Sequence, residues 1–151
     1  MKPGKLQERF DKKKMGNIFA YGTLMCEDIM FEVSGYHLSQ VHATLHGYAR
    51  KSVRGEKYPA IVVDDEKKVD GMIYLDVPAS AWDRLDRFEG EMYERLHVVV
   101  ELKDGRTLDA ETYVIHPDFL DHLDQSDWDF DNFMRNGKSS FQKYYKGYHS
   151  L

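Results

Sequence analysis

Two short segments of this 151-residue chain carry residue types that can do chemistry together. The first is Tyr21-Gly22-Thr23-Leu24, which follows an apolar strand, Ile18-Phe19-Ala20-Tyr21, and leads into a helix. A glycine at such a junction lets the backbone turn sharply and leaves amide N–H groups without ladder partners. Free N–H groups beside a helix start form an anion site. The second segment is Phe88-Glu89-Gly90-Glu91-Met92-Tyr93-Glu94-Arg95, where an acidic residue closes a helical stretch just before a glycine.

The plainest reading of Glu89 is a solvated carboxylate at a helix end. Two features argue for more. A carboxylate at a helix C-terminus faces the unfavourable end of the dipole. It also follows Phe88 at the edge of an apolar face, where burial raises a carboxyl pKa. Glu91 and Glu94 are near enough to compete. Tyr93-Glu94-Arg95 opens a strand, and Tyr93 is the cheaper of the first two to point inward. Tyr113 shares a strand face with Glu111 and Ile115, and its ordinary reading is a strand aromatic. Tyr58-Pro59-Ala60 reads first as a strand start with a buried ring.

The elements that must hold these residues follow from pattern. Asn17–Tyr21 reads as a short buried strand, and Glu27–Ser34 as a short helix ending near Gly35. Alternation over Val41–Val53 sets Val41, Ala43 and Leu45 against His42, Thr44 and His46. Tyr58–Val63 and Val69–Val77 read as two further strands, and the acidic Asp64-Asp65-Glu66 between them suggests a hairpin. Pro78 suits a helix start. Trp82, Leu85 and Phe88 give that helix a buried face, and Gly90 stops it. Tyr93–Leu102 and Thr107–Ile115 read as strands joined at Lys103-Asp104-Gly105-Arg106, since Asp-Gly is a hairpin signal. The polar, aromatic tail carries helical stretches around Trp128–Met134 and Phe141–Tyr148. The expected fold is α+β: a small, mostly antiparallel β-barrel of about six strands with short flanking helices. Residues 17–151 are expected to form one domain behind a basic N-terminal extension, 1–16, in which six Lys and Arg stand against Glu8 and Asp11.

Bulk composition excludes several functions. The hydrophobic fraction is 42% and the aromatic fraction 13%, enough for a packed core. A net charge of -5 gives no global drive toward nucleic acid or an anionic membrane. Arg50, Lys51 and Arg54 form only a short basic patch. No apolar run is of membrane-spanning length, and no signal-peptide core opens the chain. The single cysteine, Cys26, permits no intramolecular disulfide and suits a reducing cytoplasm. No histidine lies near it in sequence to act as a base. His42 and His46 sit on one strand face about 13 Å apart, too far for one ion. His37, His116 and His122 show no ligand spacing, so no metal or other cofactor is expected.

Taken together, Tyr21-Gly22-Thr23-Leu24, Tyr58-Pro59-Ala60-Ile61, Asp70-Gly71, Leu85-Asp86-Arg87-Phe88-Glu89-Gly90 with Tyr93 and Arg95, and Ala110-Glu111-Thr112-Tyr113-Val114 resemble the γ-glutamylcyclotransferase-like family, in its AIG2-like branch. Trp128-Asp129-Phe130 with Phe133 is similar to that branch's C-terminal helix. The resemblance covers about Ile18 to Phe133. It implies a barrel with flanking helices and a pocket in which Tyr21, Gly22, Thr23 and Leu24 hold the glutamyl end of a small-molecule substrate. It places Glu89 as the catalytic acid/base, with Tyr58, Tyr93 and Tyr113 among the substrate-binding residues. The implied reaction releases 5-oxoproline from a γ-glutamyl amine or amino acid. The alternative on the same fold is a non-catalytic small-molecule binding module.

Overall fold

The computed structural model describes residues 16–151. The expected basic extension, 1–16, lies outside the described residues except for Gly16, which opens the first strand. Five strands close into a barrel in the order β1-β3-β2-β4-β5. They are β1 (Gly16–Ala20), β2 (Gln40–Ser52), β3 (Pro59–Val77), β4 (Tyr93–Leu102) and β5 (Thr107–Ile115). Four neighbouring pairs are antiparallel. The barrel closes through one parallel contact, Ile18 against Glu111.

The strand count differs from expectation at one place. The acidic stretch Asp64-Asp65-Glu66 does not reverse the chain. The segments on either side of it pair with the same partner, Val63 opposite Tyr48 and Lys68 opposite His46. Tyr58–Val63 and Val69–Val77 are therefore parts of one 19-residue strand, β3. The charged residues between them bulge outward where the register shifts between His46 and Tyr48. A bulge satisfies the same need as a turn here: it carries solvated residues out of the ladder without breaking the pairing.

Alternation along β1 divides the core in two. Phe19 and Tyr21 point into the barrel, against Ile61, Ile73, Val98, Val100 and Val114. Ile18 and Ala20 point outward, under the helices. A strand covered on both faces reads as a continuous apolar run rather than an alternating one. The outer layer is supplied by α1 (Glu27–Ser34), α2 (Ala79–Glu89) and α3 (Lys138–Tyr144). Pro78 caps the start of α2. Ala81, Leu85 and Phe88 are its buried residues, while Trp82 is only partly buried and lies under the Arg95 guanidinium, 4.6 Å from its ring centre.

The C-terminal tail folds back over α2. Phe141 and Tyr148 pack edge-on against Phe88. Buried Gly147 lies against the Phe88 carbonyl, a space that admits no Cβ. This return brings the end of α2, and with it Glu89, against the mouth of the barrel.

Candidate active site

The loop leaving β1 is pinned at both ends. Arg50 Nη1 donates to the Tyr21 carbonyl at 2.8 Å, and the Tyr74 hydroxyl donates to the Leu24 carbonyl at 2.6 Å. Between these points Thr23–Met25 makes a single 3-10 turn. Among the described residues, the amides of Gly22, Thr23 and Leu24 find no acceptor; the first paired amides are Met25, to the Gly22 carbonyl, and Cys26, to the Thr23 carbonyl. Pro59 lies so close to Gly22 that a Cβ there would sit 2.8 Å from its Cγ and 2.9 Å from its Cδ. Only glycine permits that approach.

Glu89 is the last residue of α2. Gly90 follows with φ 80°, a left-handed value that redirects the chain into β4 with little strain only for glycine. The turn aims the Glu89 carboxylate into a narrow cavity at the mouth of the barrel. The cavity is lined by Tyr21, Gly22, Thr23 and Leu24 from the β1 loop, Tyr58 from the start of β3, and Tyr93 and Tyr113 from β4 and β5. All eight residues singled out from the sequence thus surround one space. Glu91 is exposed and Glu94 pairs with His116 at 3.4 Å; neither lines the cavity.

The electrostatics set Glu89 apart. Burial pushes its pKa up to about 8, and the negative charge of Asp86 adds to the shift. No described group donates a hydrogen bond to its carboxylate, so nothing offsets the desolvation. The surrounding phenols have their protons committed elsewhere. Tyr21 donates to the Tyr113 carbonyl at 2.6 Å, Tyr93 to the Pro59 carbonyl at 2.7 Å, and Tyr113 to Asp86 Oδ1 at 2.7 Å. Burial, reinforced by the Glu89 charge, pushes the hydroxyls of Tyr21, Tyr93 and Tyr113 well above their usual range. They remain neutral, and Glu89 is the group of this cavity that titrates near neutral pH. Tyr58 differs from the other phenols, since its hydroxyl has no partner among the described residues. Burial pushes its pKa up to about 12.

Sequence reasoning passed over Tyr145 and Phe141, which complete the cavity wall. The Tyr145 hydroxyl donates to the Phe88 carbonyl at 2.7 Å and approaches the Glu89 carbonyl at 3.3 Å. It thereby satisfies carbonyls that a helix end leaves without partners. Lys146-Gly147-Tyr148 was the available signal, a buried glycine among aromatics in a polar tail.

Cys26 stands apart from the cavity. Its buried Sγ lies 3.4 Å from Met134 Sδ, and burial pushes the thiol up to about 11. The histidines of the strands each lie beside a carboxylate, as His46 does beside Glu101 at 3.1 Å and His97 beside Asp109 at 2.9 Å. Among the described residues no three His, Cys, Asp or Glu side chains converge in a way that could hold a metal ion. No described helix is long and apolar enough to cross a membrane.

A family model described as gamma-glutamyl cyclotransferase, AIG2-like, matches residues 18–130. The chain belongs to this family. Among its curated relatives is protein AIG2 C of Arabidopsis thaliana, 33% identical over 76% of this chain and 70% of the relative. A solution structure of another Arabidopsis thaliana protein, 28% identical, superposes with a TM-score of 0.67 over 86% of this chain and 79% of that one. A solved gamma-glutamyl cyclotransferase superposes with a TM-score of 0.62 over 91% of this chain and 88% of that one. At 14% identity that likeness shows the fold alone.

Proposed function

We propose that this member of the AIG2-like family is a γ-glutamylcyclotransferase-like enzyme that releases 5-oxoproline from a γ-glutamyl amine or amino acid. The observation that carries the reading is the unpartnered Glu89 carboxylate, held in a phenol-lined cavity with a pKa pushed up to about 8.

The chemistry asks little of the protein. In a γ-glutamyl amide the substrate's own α-amino group attacks the γ-carbonyl and closes a five-membered lactam. Folding the glutamyl arm back supplies proximity, an effect that reaches about 7–11 kcal/mol. What remains is proton movement. An α-ammonium with a pKa of about 8 must lose a proton before it attacks. A base matched to that value is far more effective than an ordinary Glu at about 4.3. Glu89 takes the ammonium proton and delivers it to the departing nitrogen. The free amides of Gly22, Thr23 and Leu24 receive the substrate carboxylate or the developing oxyanion. Tyr21, Tyr58, Tyr93 and Tyr113 shape the walls and exclude water. This route uses no nucleophile, metal or cofactor of the protein, and the soluble γ-glutamyl substrate fits a cytoplasmic enzyme.

A panel of γ-glutamyl amides and γ-glutamyl amino acids, read by release of 5-oxoproline, tests the proposal. At least one should turn over, and Glu89→Gln should abolish that turnover. Saturable binding of these compounds without 5-oxoproline would instead make the protein a binding module.

A further inference from the structure

The cavity that holds Glu89 is small. Its free volume is about 20 Å³, room for a single water. A γ-glutamyl arm is several times larger, so a wall must move before substrate enters. Directly outside lies a wider groove with about 160 Å³ free, between the Gly55–Glu56 turn and the α3 residues Ser140 and Tyr144. The two spaces share three residues, Tyr58, Phe141 and Tyr145. These three rings are the partition between them.

The rings are held unequally. Phe141 is buried, stacks on Tyr145 with ring centres 4.6 Å apart, and meets Phe88 edge-on at 6.0 Å. Tyr145 is fastened through its hydroxyl to the Phe88 carbonyl at 2.7 Å. Tyr58 is only partly buried, and it meets the other two edge-on, with centres 6.1 and 5.2 Å away. Of the five phenols that line the cavity, Tyr21, Tyr93, Tyr113 and Tyr145 each donate to a protein acceptor. The Tyr58 hydroxyl alone has no hydrogen-bond partner among the described residues. Its backbone is anchored, since the Val53 amide donates to the Tyr58 carbonyl at 3.3 Å and Pro59 follows it into β3. Rotation of the side chain is the motion left to this wall, and the groove is the space that can take the ring.

We propose that Tyr58 is the gate of the catalytic cavity: its ring swings toward the groove to admit the γ-glutamyl arm and swings back to shut water away from Glu89. The inference rests on the cyclotransferase reading above. Open, the gate joins cavity and groove into one space, long enough for an amide with a substituent on each side. Closed, it keeps the Glu89 carboxyl dry, the condition under which that group matches the substrate ammonium. A gate of this kind couples commitment of the substrate to exclusion of water.

Two readouts test the gate, one of them without any ligand. The Glu89 carboxyl, assigned with Glu89→Gln, is titrated by its ¹³C chemical shift in wild type, Tyr58→Ala and Tyr58→Leu. Tyr58→Leu is the milder truncation and serves if Tyr58→Ala does not fold. Either truncation lets water reach the carboxylate, so the Glu89 pKa should fall from about 8 by at least about one unit. The second readout is the association rate constant of 5-oxoproline. It should rise at least about tenfold in the truncations, as expected when a closed state holding about 90% or more of the protein no longer blocks the path. In Tyr58→Trp, whose larger ring has more to clear, it should fall. An unchanged Glu89 pKa in a folded truncation, or association no faster than in wild type, would each overturn the inference. If 5-oxoproline does not bind wild-type protein, the cyclotransferase reading fails and the Glu89 titration alone decides the gate, a fall upholding it and no change overturning it.

Discussion

The Tyr113 hydroxyl donates to Asp86 Oδ1 at 2.7 Å, which ties β5 to α2 one helical turn before Glu89. Asp86 also takes Arg95 Nε at 3.1 Å, so its carboxylate is held in place. That fixed negative charge is one of the two causes of the raised Glu89 pKa; burial is the larger. Asp86→Asn keeps an acceptor for Tyr113 and removes the charge. The pKa governing the acidic limb of the kcat/KM profile should fall, by less than about one unit because burial still dominates. A pH–rate profile of the variant checks this.

Glu89 should weaken the fold in a pH-dependent way. Its folded pKa, about 8, lies above the ordinary carboxyl value of 4.5. Between these values the folded state binds the extra proton, so stability falls as pH rises through this window. The loss is complete above about pH 8 and amounts to a few kcal/mol at most. Glu89→Gln should therefore raise the melting temperature, little at pH 5 and more at pH 8.5. Thermal melts of both proteins across that range measure the difference.

Tyr145→Phe keeps the stacked ring against Phe141 and removes the hydroxyl that caps α2. Denaturant unfolding should show a loss of about 1 kcal/mol, the usual value of one hydrogen bond. Turnover should fall as well, since the cap orients the residue that carries the base.

Gly22→Ala should reduce binding of the glutamyl end more than it reduces stability. The new Cβ meets the Pro59 ring at the start of β3, so the buried loop must shift to admit it, and its free amides shift with it. KM for a γ-glutamyl substrate should rise severalfold, with the melting temperature within a few degrees of wild type.

Much of this arrangement was legible in the sequence. Gly22, Glu89 and Gly90 mark backbone turns whose chemistry is local, and local turns leave local signals. The buried faces of β1 and α2 follow from alternation and from three-residue spacing. Other features depend on distant contacts. Asp64-Asp65-Glu66 reads as a turn because nothing nearby says that β2 is long enough to pair on both sides of it. Tyr145 reads as one more tail aromatic because its partner carbonyls, Phe88 and Glu89, lie 57 and 56 residues away.

In the proposed reaction the Glu89 carboxylate moves the proton as 5-oxoproline closes. The most direct measurement is the rate of 5-oxoproline release from one γ-glutamyl substrate, for wild type and Glu89→Gln, across pH 5 to 9.5. Wild type should rise with pH to a plateau governed by a group of pKa about 8, as burial and Asp86 set it. Glu89→Gln should be folded, should bind the substrate, and should be slower by about 10²–10⁴-fold, the usual contribution of a positioned acid/base. A Glu89→Gln protein that released 5-oxoproline at the wild-type rate, with the same pH dependence, would contradict the account.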